Sequence, residues 1–158
     1  MNASQNCDPA RVGQIVVGVD GSPEALAALR WAIGHAQERG LLLRVVTAWG
    51  HPQETTFGDM HSEDDPVPLM TAEEVLASAI ADAGLPVEDS NVTTVRVLGH
   101  PAEVLIQESE DADLLVIGTH GHRRIVGALL GSVSQYVAAH AACPVVLVRL
   151  PAHDHNHA

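Results

Sequence analysis

The sequence predicts an α/β fold: a five-stranded, mostly parallel, doubly wound sheet in the order 3-2-1-4-5, with helices on both faces. Three observations predict it. Short β-branched runs alternate with segments of helical period, so crossovers must join successive strands. The runs at 15–19 and 114–117 are almost wholly apolar, as central strands buried on both faces require. The run at 92–98 carries Thr93, Thr94 and Arg96 among its valines and suits an edge.

The elements follow in chain order. The first strand, 15–20, ends in Gly21-Ser22-Pro23, where Ser22 suits a helix N-cap and Pro23 the first turn. The helix behind it keeps Leu26, Leu29 and Ile33 on one face and stops at Gly40, a good residue just past a helix end. The second strand is 43–49. Residues 71–83 place Ala72, Val75, Leu76, Ala79, Ile80 and Ala83 at helical spacing, and Gly84 closes them. A strand at 92–98, a helix at 102–110, a strand at 113–117, a helix at 132–142 and a strand at 144–149 complete the order. The 50–70 stretch is acidic and rich in Pro and Gly, which suits a lid or a disordered loop.

A length of 158 residues suits one domain, placed at 13–150 between flexible tails at 1–12 and 151–158. No apolar run reaches the roughly 20 residues of a membrane span. The start, MNASQNCDPARVG, has neither a cationic region nor an apolar one, so the expected address is cytoplasmic. Eight basic residues stand against 20 acidic ones, a field that repels nucleic acid and anionic lipid. All eight are arginines. Without lysine, a Walker P-loop, a Schiff base and a protein-kinase site are excluded together. Cys7 and Cys143 carry no pairing signal and fit a reducing compartment.

Ligands of such sheets bind at the carboxyl ends of the strands flanking the switch between strands 1 and 4. Two segments lie there: Asp20-Gly21-Ser22, and the stretch after Ile117 that runs from Gly118 through Gly121 to Gly131-Ser132-Val133-Ser134. Glycine at 118 and 121 lets the backbone turn sharply and approach a ligand. A helix opening at Gly131-Ser132 offers unpaired N–H groups to an anion, and the Ser132 and Ser134 hydroxyls can add donors. A lysine-free acidic protein could hold phosphates in this way, with main-chain dipoles. The plainer alternative is that the glycines shape two loops and Ser132 caps a helix. Asp20 could bind a ribose hydroxyl or share Mg2+ with phosphates, or make only an Asx turn with Ser22.

Gly118-x2-Gly121-x9-Gly131-Ser132 resembles the G-2x-G-9x-G-(S/T) signature of ATP-binding universal stress proteins. Ile15-Val16-Val17-Gly18-Val19-Asp20-Gly21-Ser22 is similar to that family's first strand and turn, Leu129-Leu130-Gly131-Ser132-Val133-Ser134 to its second block, and Cys143-Pro144-Val145-Val146-Leu147-Val148 to its last strand. Gly18 stands where some relatives have proline. The resemblance, over about 13–150, implies an ATP-binding stress-response sensor, with Mg2+ as a companion ion. By position it places Asp20 near the adenosine and Ala48 against the adenine. Ile117, Gly118 and Gly121 would lie along the ribose and phosphates, with Gly131, Ser132, Val133 and Ser134 around the phosphates. Cyclic AMP is an alternative ligand in this family.

No catalytic residue and no resident metal site is assigned. His120-Gly121-His122 differs from the nucleotidyltransferase H-x-G-H spacing and lies after strand 4, so phosphate contact is its expected role, with Arg123 and Arg124 able to reach the same anion. A slow ATPase, a nucleotidyl transferase and a ligand-free interaction protein remain as alternatives. His153, His155 and His157 fit a disordered tail or a weak metal tract. The last strand is an apolar edge guarded only by Pro144 and Arg149, and it is expected to pair in a homodimer; the resemblance implies the same.

Overall fold

The computed structural model describes residues 11–49, 71–86, 88–121 and 129–150. The 50–70 loop, most of the leader with Cys7, His122-Arg123-Arg124 and the histidine tail lie outside the described residues. Five strands, β1 (Gln14–Gly18), β2 (Leu42–Trp49), β3 (Val92–Leu98), β4 (Leu114–Gly118) and β5 (Val145–Val148), alternate with α1 (Pro23–Arg39), α2 (Ala72–Ala83), α3 (Pro101–Glu108) and α4 (Ser132–His140). The sheet order is β3-β2-β1-β4-β5 and every neighbouring pair is parallel. The expected architecture is therefore the observed one.

Two cores sandwich the sheet. Ile15, Val17, Leu43, Val45 and Val116 face α1 and α2 together with Ala28, Leu29, Leu76 and Ala79. Val16, Val46, Leu115 and Ile117 face the other way, onto Ala102, Leu105 and Val137 of α3 and α4. Ile15, Val16, Val17, Leu115 and Val116 are fully buried, so β1 and β4 are the central strands that their apolar runs require. β3 is exposed along one face and lies at an edge.

Helix boundaries follow local chemistry. Ser22 accepts the Ala25 N–H at 3.2 Å, with Pro23 at the first helical position of α1. Gly40 and Gly84 close α1 and α2 in the left-handed region at φ 65° and 72°, where a Cβ would be strained. Thr71 and Glu74 form a reciprocal capping box at the start of α2. α3 begins one residue earlier than its apolar pattern and stops at Glu108. His100 is its N-cap, its Nδ1 accepting the Ala102 N–H at 3.3 Å.

Candidate functional site

The carboxyl ends of the strands part from one another. β1–β4 pairing ends at Val17 and Val116 and β1–β2 pairing at Gly18 and Val46, whereas β2–β3 and β4–β5 pairing continue to Trp49 and Gly118. The gap is a crevice at the topological switch, where ligands of open α/β sheets bind. Asp20, Ala48, the loop after β4 and the start of α4 border it.

Asp20 leaves β1 in an Asx turn: its Oδ1 accepts the Ser22 N–H at 2.9 Å, with Gly21 at φ 85°. Its other carboxylate oxygen points across the crevice, since a Cβ built on Gly121 would come within 2.6 Å of Asp20 Oδ2. The turn and the glycine loop are thus in contact, and the Asx-turn reading of Asp20 holds beside any ligand role.

The three signature glycines have different physical grounds. None of them lies in the left-handed region, so what each needs of glycine is space and not a positive φ. A Cβ at Gly118 would lie 2.8 to 3.1 Å from the Cβ and main-chain atoms of Glu24, so this glycine lets the first turn of α1 pack on the end of β4. Gly121 makes room for Asp20. At Gly131 a Cβ would find only ordinary contacts, the nearest 3.4 Å away at the Thr119 carbonyl. Protein packing leaves that position open to a side chain.

Gly131, not Ser132, is the N-cap of α4. It has extended backbone and donates its N–H to the Thr119 carbonyl at 2.7 Å. Helices α1, α2 and α3 each have a side-chain cap, from Ser22, Thr71 and His100, and α4 has none. The first N–H of α4 with an intrahelical acceptor is that of Gln135, bonded to the Gly131 carbonyl. Among the described residues the N–H groups of Ser132, Val133 and Ser134 have no partner, which leaves three donors and the positive end of a helix dipole at the crevice.

The side chains sort differently from expectation. Ser132 is exposed. Ser134 is 3% exposed and its hydroxyl lies 2.8 Å from the Gly118 carbonyl and 3.1 Å from that of Thr119, so here it braces the start of the loop. Ile117 is core beneath α3 and α4, and the Val133 and Ala48 side chains pack against the same cluster. At Ala48 and Val133 the main chain, not the side chain, is left for the crevice, whereas the Ile117 main chain is paired with β5. His120 sits at the loop with Nδ1 3.2 Å from the Thr119 hydroxyl.

One contributor escaped the sequence reading. Odd residues of β2 exchange main-chain hydrogen bonds with β3, as Leu43 N–H to Asn91 and Gly99 N–H to Trp49 show; even ones face β1, as Val19 N–H to Val46 shows. The next even residue is Ala48. Because β1 has already turned away, its N–H and C=O have no partner among the described residues. The Val19 carbonyl it would meet instead accepts from the buried Thr47 hydroxyl at 2.9 Å. Thr47 was legible to this extent: a hydroxyl inside the apolar run Val45–Ala48 needs an acceptor when that run is buried.

A separate open hollow of about 210 Å³ lies at the amino end of β2, among Ile33, Leu41, Leu43, Leu85, Asp89 and Asn91. None of the site residues lines it. At Cys143, burial pushes the thiol pKa up, against the opposing hydrogen bond to Ser109. Among the described residues, no helix is long and apolar enough to cross a membrane, and no group of three His, Cys, Asp or Glu could hold a metal.

A parallel sheet of this order, with helices on both faces and a crevice at its switch point, defines a doubly wound α/β protein. The chain belongs to the universal stress protein family, whose model matches residues 12–149. It is 40% identical over 138 residues to a universal stress protein of Thermus aquaticus, covering 85% of this chain and 97% of that one. A universal stress protein of Mycobacterium tuberculosis is 36% identical over 135 residues, or 85% of this chain; the chain spans 45% of that relative's length. Among solved structures, a universal stress protein from Archaeoglobus fulgidus superposes with a TM-score of 0.64 at 26% identity, over 87% of this chain and 99% of that one. A universal stress protein in complex with cAMP gives 0.59 at 28% identity, over 86% and 95%.

Proposed function

We propose that residues 13–150 form one domain that binds an adenine nucleotide, ATP in the first place, and acts as a stress-response sensor or regulatory module. The observation that carries this reading is the start of α4 beside the crevice, which has no side-chain cap and whose Ser132, Val133 and Ser134 N–H groups have no partner among the described residues. Main-chain donors at a helix N-terminus suit phosphate in a protein whose global charge is −12 and which lacks lysine. The N–H and C=O of Ala48 suit the N1 and 6-amino edge of adenine. The relative solved with cAMP supports the same ligand class.

Mg2+ fits as a companion of the phosphates and not as a resident ion. Asp20 would give it one carboxylate oxygen, with phosphate and water oxygens completing the shell. With no lysine in the sequence, the site is expected to hold its ligand and to turn it over slowly at most. A homodimer through β5 and a cytoplasmic location complete the proposal. The deciding experiment is mass spectrometry of nucleotide released on denaturing the purified protein, followed by calorimetry with ATP and cAMP. Absence of bound nucleotide and of binding heat for both would reject the reading.

A further inference from the structure

We propose that Thr47 is a positioning residue for this site: its hydroxyl holds the Val19 carbonyl away from the β1–β2 ladder and so keeps the main-chain N–H and C=O of Ala48 open to a purine edge. The inference rests on the nucleotide-binding reading. In a parallel pair the rung after Val19 N–H to Val46 would join the Ala48 N–H to the Val19 carbonyl. That rung is missing, although β2 continues as a strand to Trp49. The acceptor bonds instead to Thr47 Oγ1 at 2.9 Å, in a site where Thr47 is 3% exposed.

The direction of that bond matters. Thr47 has the strand parity of Leu43 and Val45, which pack in the core under α1 and α2. Its hydroxyl therefore draws the Val19 carbonyl towards that face and out of the sheet plane in which the Ala48 N–H lies. One residue later the Asp20 turn, closed by the Ser22 N–H, carries the chain off the sheet. The result is a donor and an acceptor on one residue, side by side at the crevice.

That pair has a definite chemical preference. Adenine offers an acceptor at N1 and a donor at its 6-amino group, complementary to N–H and C=O. Hypoxanthine offers a protonated N1 and a 6-oxo group, which sets donor against donor and acceptor against acceptor. A site built to bond one pattern rejects the other because its own polar groups are left unpaired.

The test compares the full chain with Thr47→Ser, which keeps the hydroxyl, and Thr47→Ala, which lacks it; both lose the methyl. Calorimetry with ATP and ITP is paired with native-state hydrogen exchange at the Ala48 amide of the ligand-free protein. Wild type and Thr47→Ser are expected to prefer ATP by about tenfold or more. Thr47→Ala should lose most of that ratio, and its Ala48 amide should gain protection as the missing rung forms. A merely structural threonine would lower the melting temperature and leave the ratio untouched. An unchanged ATP-to-ITP ratio in Thr47→Ala overturns the positioning role while the nucleotide reading stands. Binding of neither nucleotide by wild type overturns both. If Thr47→Ala does not fold, the wild-type protein still decides: an Ala48 amide as protected as that of Val46 rejects the proposal.

Discussion

The Ser134 hydroxyl lies 2.8 Å from the Gly118 carbonyl, which fastens the first turn of α4 to the last residue of β4. The carboxyl end of β4 and the first turn of α4 are therefore fixed to one another. Removing the hydroxyl leaves the Gly118 and Thr119 carbonyls without it in a buried setting. Ser134→Ala is expected to lower the unfolding free energy by about 1–2 kcal/mol, read from urea denaturation. Ser132→Ala, at an exposed position, should leave stability unchanged and weaken nucleotide binding by about 1 kcal/mol. Equal effects of the two on stability would contradict the different roles.

The glycines offer a sharper contrast. In Gly131→Ala the new methyl meets only ordinary contacts, so the melting temperature should hold within a few degrees while ATP affinity falls tenfold or more, that is by about 1.4 kcal/mol. In Gly121→Val the new side chain drives into Asp20 Oδ2 and should displace that carboxylate, abolishing binding with the fold retained. Full affinity in both variants would remove the crevice from consideration as the nucleotide site.

Bound ATP is expected to persist. Phosphate release under multiple-turnover conditions should fall far below the usual enzyme range of roughly 1 to 1000 per second. A rate within that range, lost on replacing His120 or Asp20, would make the protein an enzyme.

The β5 edge allows a test of self-association that leaves the sheet intact. The carbonyls of Pro144 and Val148 accept from Leu115 and Thr119 of the β4 side, so residues of that parity face inward and Val145 and Leu147 direct their N–H groups to the free edge. Val146 and Leu147 are both half-buried, each on its own core, so a charge at either would disturb packing. Leu147→Pro removes an outward donor without breaking the β4 ladder. It should convert a dimer to a monomer in sedimentation at micromolar concentration. Wild type sedimenting as a monomer would reject the pairing.

At Cys143 the raised thiol pKa predicts slow alkylation near neutral pH, relative to a free cysteine peptide, in a Cys7→Ser background. A raised pKa in the folded state favours the protonated form. Its contribution to stability is therefore present below the thiol's unfolded pKa and is lost as pH rises through the folded one. Alkylation as fast as the free peptide would contradict burial as the cause.

The strand order was legible because one physical quantity encodes it. Apolar runs at β1 and β4 demand cover on both faces, and the polar alternation of β3 tolerates an edge. Caps at Ser22 and Gly40 were legible because each depends on a residue's own side chain or its absence. The bracing bonds of Ser134 were not legible, because helical phase, not residue type, decides whether a hydroxyl in the first turn faces the crevice or the loop behind it. His100 was missed as a cap, since imidazole seldom takes that place; Pro101 was the available sign. The bare edge at Ala48 has no residue signature of its own.

That edge lies where β2, with 8 residues, outruns β1, with 5, and where the Thr47 hydroxyl holds the Val19 carbonyl. If this edge reads a base as proposed, that recognition does not depend on what side chain residue 48 carries. Position 48 can drift among small residues while the hydrogen-bonding pattern offered to a base stays the same. Comparisons that weigh residue identity there will therefore underestimate how alike two such sites are, and chain-trace superposition at the end of β2 is the better measure of kinship in ligand choice.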